Sequence, residues 1–154
     1  MSITVRKLSS PIGAEIGGVD LSRPLEPDVV ERIKAAWYEH LVLLFRDQHL
    51  SEEAQIRFAR YFGALQKRPR PPSARAETGV DNPEIVMLIS NIREDGKPVG
   101  SLPDGEMQFH TDQCYLEKPA QGTFLYAIEV PSVGGDTLFR NLYKAYETLA
   151  PELR

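Results

Sequence analysis

The sequence predicts an α+β fold that is mainly β, with helices near the N-terminus followed by strands. Three observations support this class. Two amphipathic helix patterns occur before Gly63, apolar runs of strand length recur after residue 84, and long polar stretches containing Gly and Pro separate those runs. This order is typical of a β-sandwich or barrel that carries functional loops.

The first half alternates strands and helices. Residues 3–8, ITVRKL, are predicted to form a strand, and Pro27 opens a helix that runs to about His40. Residues 41–45, LVLLF, are an uninterrupted apolar run of the kind found in strands buried on both faces. Ser51 is placed to cap a second helix, because two glutamates follow it in the first turn.

The second half is predicted to contain strands joined by long loops, and then a helix. We expect strands at 85–90, at 122–130 and after the turn PSVGG, loops at 66–83 and 91–107, and a helix from Asn141 to about Leu149 with another starting at Pro151. Loops of this length inside a compact domain are often functional, as lids or substrate walls.

Composition and charge narrow the class of protein. A chain of 154 residues with 42% hydrophobic and 26% charged residues suits one soluble globular domain. The net charge of −4 and the absence of a long basic block argue against a nucleic-acid partner. We expect no signal peptide and no membrane span, and the single cysteine fits the cytoplasm. Composition does not decide whether the protein is a homo-oligomer.

The stretch MQFHTDQCYL, residues 107–116, places His110 and Asp112 two positions apart. In a strand, such side chains share a face with about 6.6 Å between their Cα atoms, so both can reach one ion. Nitrogen and oxygen ligands suit the two-histidine, one-carboxylate iron(II) triad better than a structural zinc site. The pair alone is a weak signal, since a strand-end histidine bonded to a neighbouring carboxylate gives the same pattern. Cys114 would lie about 13 Å from His110 along a strand, and is predicted to be a small buried hydrophobe.

The segment FHTDQCYLEKPAQGTFLYAIEVPSVGGDTLF resembles the core of the TauD/TfdA family of iron(II)- and 2-oxoglutarate-dependent dioxygenases. The HTD triplet, the E-x-P-x-x-G-T-like segment and the PS-x-GGDTLF turn carry the resemblance, and GAEIGGVDLSRPL, HLVLLFRDQHLS and FARYFGAL extend it to the N-terminal half. It implies a double-stranded β-helix (jelly-roll) core with N-terminal helices. It also implies hydroxylation of a small organic substrate by dioxygen, with release of succinate and CO2.

The resemblance also implies roles for individual residues. His110 and Asp112 match the first two metal ligands of the family by position. Thr137 matches the threonine whose hydroxyl helps to hold the distal carboxylate of 2-oxoglutarate. Gly134 and Gly135 support that role, because they permit a close backbone approach just before the hydroxyl donor. No further catalytic residue is predicted.

Two elements that the family requires are missing from the sequence. The third metal ligand, a histidine, and the arginine that binds 2-oxoglutarate both follow the HxD pair at a distance in the family. The other histidines here, His40 and His49, precede it and are interpreted as structural. We therefore expect residues 1–154 to be a single, partial domain with an incomplete jelly roll, exposed apolar surfaces and no activity by itself.

Substrate class and rival functions stay open. The segment QKRPRPPS contains Gln66, Arg68 and Arg70, and basic residues there would suit an anionic substrate. One alternative is a non-catalytic jelly-roll module for binding or interaction, derived from such an enzyme. Another is a metal-dependent hydrolase or cupin-like enzyme that uses the HxD pair with a different ligand set.

Overall fold

The computed structural model describes residues 2–9, 11–67, 81–100 and 107–154. Contacts within the chain divide it into two compact units, residues 1–62 with 127–154, and residues 63–126. The observed class is mixed α/β, with small sheets and few helices. A jelly roll remains a prediction.

A three-stranded sheet opens the first unit, formed by β1 (Thr4–Lys7), β2 (Ala14–Gly17) and β3 (Leu43–Leu44) in that order. β1 pairs antiparallel with β2, and β2 pairs parallel with β3. Along β2, buried and half-buried residues alternate, so Ala14 and Ile16 face the core. The predicted first strand is confirmed.

Two helices supply the other side of this core. Helix α1 spans Pro27–His40 and helix α2 spans Glu52–Arg60. Pro at the first position of α1 has the φ that a helix requires, and the Ser51 hydroxyl accepts a hydrogen bond from the Ala54 backbone N–H at 3.2 Å to begin α2. Both predicted helices and the Ser51 cap are confirmed.

An aromatic cluster joins the helices to the sheet. The Phe58 ring packs edge-on against Phe45, with ring centroids 5.6 Å apart, and against Phe62 at 5.3 Å. Trp37 of α1 meets Phe62 at 5.6 Å. Edge-to-face pairs of this kind stabilise a core beyond the area that they bury.

The predicted strand at 41–45 is only partly correct. Only Leu43–Leu44 form strand, and all five residues are half-buried rather than buried. Leu41 has a φ of 66° and its N–H donates to the Trp37 carbonyl at 2.7 Å, so this residue ends α1 instead of starting a strand. Among the described residues β3 pairs with β2 alone, which leaves its other edge uncovered.

The strands predicted at 85–90, at 122–130 and after PSVGG are wrong, because none of these segments is strand in the structure. None of their apolar side chains is buried, and some are highly exposed, with Ile128 at 80% and Leu138 at 68%. Apolar β-branched residues favour strands only where a partner strand and a covering layer bury them. Neither is present here among the described residues.

A hairpin lies inside the predicted loop at 91–107. Strands β4 (Arg93–Glu94) and β5 (Lys97–Pro98) pair antiparallel around Asp95 and Gly96. Both turn residues have positive φ, 50° and 73°, as a type I′ turn requires. The Asp-Gly pair was the available sequence signal, and the loop prediction overlooked it.

The chain ends in helix α3 (Leu142–Glu147) and a 3-10 turn at Pro151–Leu153. The Asn141 carboxamide oxygen accepts from the Lys144 N–H at 3.1 Å, which confirms the predicted cap, although α3 stops before Leu149. The longest helix in the described part of the chain, α1, has 14 residues, and no helix there could cross a membrane.

Candidate metal centre

His110 and Asp112 converge in the unit formed by residues 63–126. His110 Nε2 lies 3.1 Å from Asp112 Oδ1. The predicted strand geometry is wrong, because residues 112–115 form a turn in which Gln113 has a φ of 53°. A turn brings the two side chains together instead of a shared strand face.

The tautomer of His110 follows from its second hydrogen bond. Nδ1 lies 2.8 Å from the Gln108 carbonyl oxygen, which can only accept, so Nδ1 carries a proton and donates. In a neutral imidazole, Nε2 then presents a lone pair to a carboxylate oxygen. Two acceptors at that separation repel each other unless a cation, either a proton or a metal ion, lies between or beside them.

The donor set fits a divalent metal. Two neighbouring ligands of an octahedral ion with bonds of about 2.1 Å are about 3.0 Å apart, close to the observed 3.1 Å. Anchoring of Nδ1 by a backbone carbonyl is the usual way in which a metal-binding histidine is oriented. One imidazole and one carboxylate without thiolate suit iron(II), as the sequence predicts.

The candidate metal centre is half exposed to solvent, and its neighbours favour the protonated form of His110. The side chains of His110 and Asp112 are 50% and 49% exposed, and the described residues contain no group of three His, Cys, Asp or Glu side chains that could hold a metal ion. The Gln108 carbonyl, together with the Asp112 carboxylate, raises the pKa of His110 above its ordinary value. In the absence of a metal, a proton therefore stabilises the pair.

Thr123 also belongs to this cluster, although the sequence predicts no role for it. Its hydroxyl donates to Asp112 Oδ2 at 2.7 Å. Thr123 ends the E-x-P-x-x-G-T-like segment, which contributed to the resemblance without any role being predicted for it. Because the residues are 11 positions apart, only the folded chain brings them together.

Thr137 belongs to the unit of residues 1–62 and 127–154, and its side chain is exposed. The two glycines before it have φ values of 76° and 72°. At Gly135 a Cβ would come within 2.9 Å of the Pro131 ring, so this turn needs glycine for space as well as for φ. Both glycines thus have the positive φ that glycine permits, and the role of Thr137 stays a prediction.

Three other predictions concern side chains near or outside this cluster. Cys114 is exposed, so its interpretation as a buried hydrophobe is wrong, because the turn that replaces the strand directs it outward. His40 ends α1, and its side chain is only 12% exposed, which agrees with a structural role. Arg68 and Arg70 lie outside the described residues.

Residues 4–154 match the family described as Taurine catabolism dioxygenase TauD, TfdA family. The chain belongs to this family. The TauD/TfdA match covers the whole of the candidate centre, and the predicted resemblance is confirmed.

Curated relatives agree with this assignment. The pentalenolactone F synthase of Streptomyces avermitilis is 36% identical over 100% of this chain and 49% of its own length. The (S)-phenoxypropionate/alpha-ketoglutarate-dioxygenase of Sphingobium herbicidovorans is 32% identical over 97% of this chain and 49% of its own. The alpha-ketoglutarate-dependent sulfate ester dioxygenase of Pseudomonas putida is 32% identical over 100% of this chain and 46% of its own length. The chain thus spans about half the length of these TauD/TfdA relatives.

Proposed function

We propose that this chain is part of an iron(II)- and 2-oxoglutarate-dependent dioxygenase that hydroxylates a small, anionic organic substrate and releases succinate and CO2. The observation that carries the proposal is the convergence of His110 Nε2 and Asp112 Oδ1, with Nδ1 tied to a backbone carbonyl. Family membership supplies the reaction class. The names of two relatives, which act on a phenoxypropionate and on sulfate esters, support an anionic substrate.

Each site residue has a distinct part in this proposal. His110 provides a nitrogen ligand whose tautomer the Gln108 carbonyl selects, and Asp112 provides an anionic oxygen ligand. Thr137 donates its hydroxyl to a carboxylate of 2-oxoglutarate. Bound iron, 2-oxoglutarate and dioxygen supply the oxidising chemistry, and the protein contributes geometry and binding.

The proposed enzyme needs more than residues 1–154. In a dioxygenase with the length of the relatives, the third histidine, the arginine for 2-oxoglutarate and the strands that complete a jelly roll would come from a following segment. With two protein ligands, we expect weak metal binding and no succinate release above background from the 154-residue chain. We also propose a cytoplasmic location, in keeping with the single cysteine.

Metal titration tests the proposal. Cobalt(II), a visible spectroscopic stand-in for iron(II), is titrated into the chain and into its His110→Ala, Asp112→Ala and His49→Ala variants. Loss of either ligand should weaken cobalt binding more than about 10-fold, the lower limit for removing a supporting contact. His49→Ala removes an exposed histidine outside the cluster and should leave binding unchanged. Equal binding by all four proteins would refute the site.

A further inference from the structure

We propose that Thr123 is a positioning residue that sets the orientation of the Asp112 carboxylate. This inference rests on the proposed function, because it assigns a support to one of its metal ligands. It depends on contacts within the unit of residues 63–126, all of which lie in the described part of the chain.

The two oxygens of Asp112 have different partners. Oδ1 faces His110 Nε2 at 3.1 Å, whereas Oδ2 accepts the Thr123 hydroxyl at 2.7 Å. A carboxylate rotates about its Cβ–Cγ bond in a broad, nearly two-fold potential, so its oxygens exchange places easily when neither is held. The Thr123 bond distinguishes them, and directs Oδ1 toward the imidazole.

The strength of this contact suits the role. A hydroxyl that donates to an ionised carboxylate forms a charge-assisted bond, which is stronger than a neutral one. Asp112 is 49% exposed, so packing covers only about half of its side chain. The hydroxyl is therefore the main described restraint on Oδ2. Thr123 is also β-branched, and its stiff χ1 reduces the entropy lost when the bond forms.

Thr123 also links two segments that carry no regular structure. Residues 107–111 and 122–127 are neither helix nor strand, and a turn occupies 112–115. The Thr123–Asp112 hydrogen bond joins the turn at residues 112–115 to the segment that begins at Gly122. The orientation of the Asp112 carboxylate therefore depends on the path of a segment that is 11 positions away in the sequence.

The first experiment measures the χ1 rotamer of Asp112 in the metal-free protein by three-bond Hα–Hβ couplings, because a bond that fixes the position of Oδ2 restrains χ1 as well as the rotation about Cβ–Cγ. Wild type and Thr123→Ser, which keeps the hydroxyl, should show one dominant Asp112 rotamer, whereas the nearly isosteric Thr123→Val should show averaged couplings. Thr148→Val is the matched control, because in the described part of the chain the Thr148 hydroxyl donates to two carbonyls of its own helix. Averaged couplings in wild type, or unchanged couplings in Thr123→Val, would overturn the inference. Amide spectra report whether each variant stays folded.

The second experiment repeats the cobalt(II) titration with the same variants. Thr123→Val should bind about 10-fold more weakly than wild type, at the lower end of the range for supporting contacts because the site is half exposed. Thr123→Ser should restore most of the affinity. If wild type holds Asp112 in one rotamer and yet binds no cobalt, the proposed metal site fails while the positioning role stands.

Discussion

Residues 2–62 and residues 107–154 contain similar apolar side chains but bury them very differently. Every buried hydrophobic residue in the described part of the chain falls in the first region: Ile3, Ala14, Ile16, Leu21, Val29, Val30, Ile33, Ala36, Ala54, Ile56 and Phe58. The second region exposes large apolar residues throughout, including Leu125, Ile128, Val130, Val133, Leu138, Phe139, Leu142 and Tyr143. The apolar content of a segment therefore does not determine its burial.

The reason for this difference is the number of facing layers. In the first region, two amphipathic helices and a three-stranded sheet each present an apolar face to the others. In the second region, the structure has one six-residue helix and a short 3-10 turn, and no strand. A single layer has nothing against which to bury its apolar face. The first region should therefore carry the stability of the chain.

The largest expected effect comes from exchanging isoleucine for alanine in each region. Ile33→Ala empties a site that is 0% exposed, and should lower the free energy of unfolding by about 2–5 kcal/mol. Ile128→Ala, at 80% exposed, should change it by less than about 0.5 kcal/mol. Urea unfolding followed by Trp37 fluorescence measures both. An equal loss of unfolding free energy in Ile33→Ala and Ile128→Ala would contradict the difference in burial between the two regions.

Helix caps should show the same contrast at smaller magnitude. Ser51→Ala removes the cap of a helix with buried residues, and should cost about 1 kcal/mol of global stability. Asn141→Ala removes the cap of α3, which buries no residue, together with the exposed 2.6 Å hydrogen bond from the Asn141 carboxamide N–H to the Pro11 carbonyl, so mainly local helicity should fall. Urea unfolding measures the loss of global stability in Ser51→Ala, and 13Cα chemical shifts measure the loss of helicity in α3 of Asn141→Ala. Asn141→Asp keeps the capping oxygen but, like Asn141→Ala, loses the donor to the Pro11 carbonyl, so a comparison of the two variants isolates the cap. A global loss in Asn141→Ala that is absent in Asn141→Asp would show that α3 contributes to the core.

The smallest expected effect is a pH dependence within the first region. Glu15 of β2 accepts hydrogen bonds from Arg46 at 3.1 Å and Arg6 at 2.6 Å, and the Arg46 guanidinium, with that of Arg6, lowers the pKa of its carboxyl. A lowered folded-state pKa stabilises the protein above the ordinary glutamate value of about 4.3, and this contribution disappears as pH falls through the folded value.

The variant Glu15→Gln tests this sign. It should unfold at lower urea concentration than wild type at pH 7, and the difference should vanish at acidic pH, below the folded pKa of Glu15. The difference should be modest, because Arg6 and Arg46 side chains are 67% and 62% exposed and solvent screens the pairs. A difference that grows as pH falls would contradict the assignment.

Much of the first region could be predicted because its signals are local. Ser51, Pro27 and the spacing of apolar residues in α1 and α2 depend on neighbours within a few positions. The prediction of a strand at 122–130 was wrong for the opposite reason, since a strand forms only when a distant partner strand supplies hydrogen bonds. The β4–β5 hairpin was predictable from Asp95–Gly96, and the long polar composition around it concealed that signal.

The sequence alone determined the helices, their caps, the glycine turn before Thr137 and the family, because each depends on residues that are neighbours or on a motif of short spacing. Only the tertiary structure decided how His110 meets Asp112, which nitrogen of the imidazole is free, and that Thr123 reaches the second carboxylate oxygen. The physical reason is that the first two contacts depend on the backbone conformation of residues 108–112, which no short motif specifies, and the third depends on the path of the chain from Asp112 to Thr123. No local pattern encodes that path.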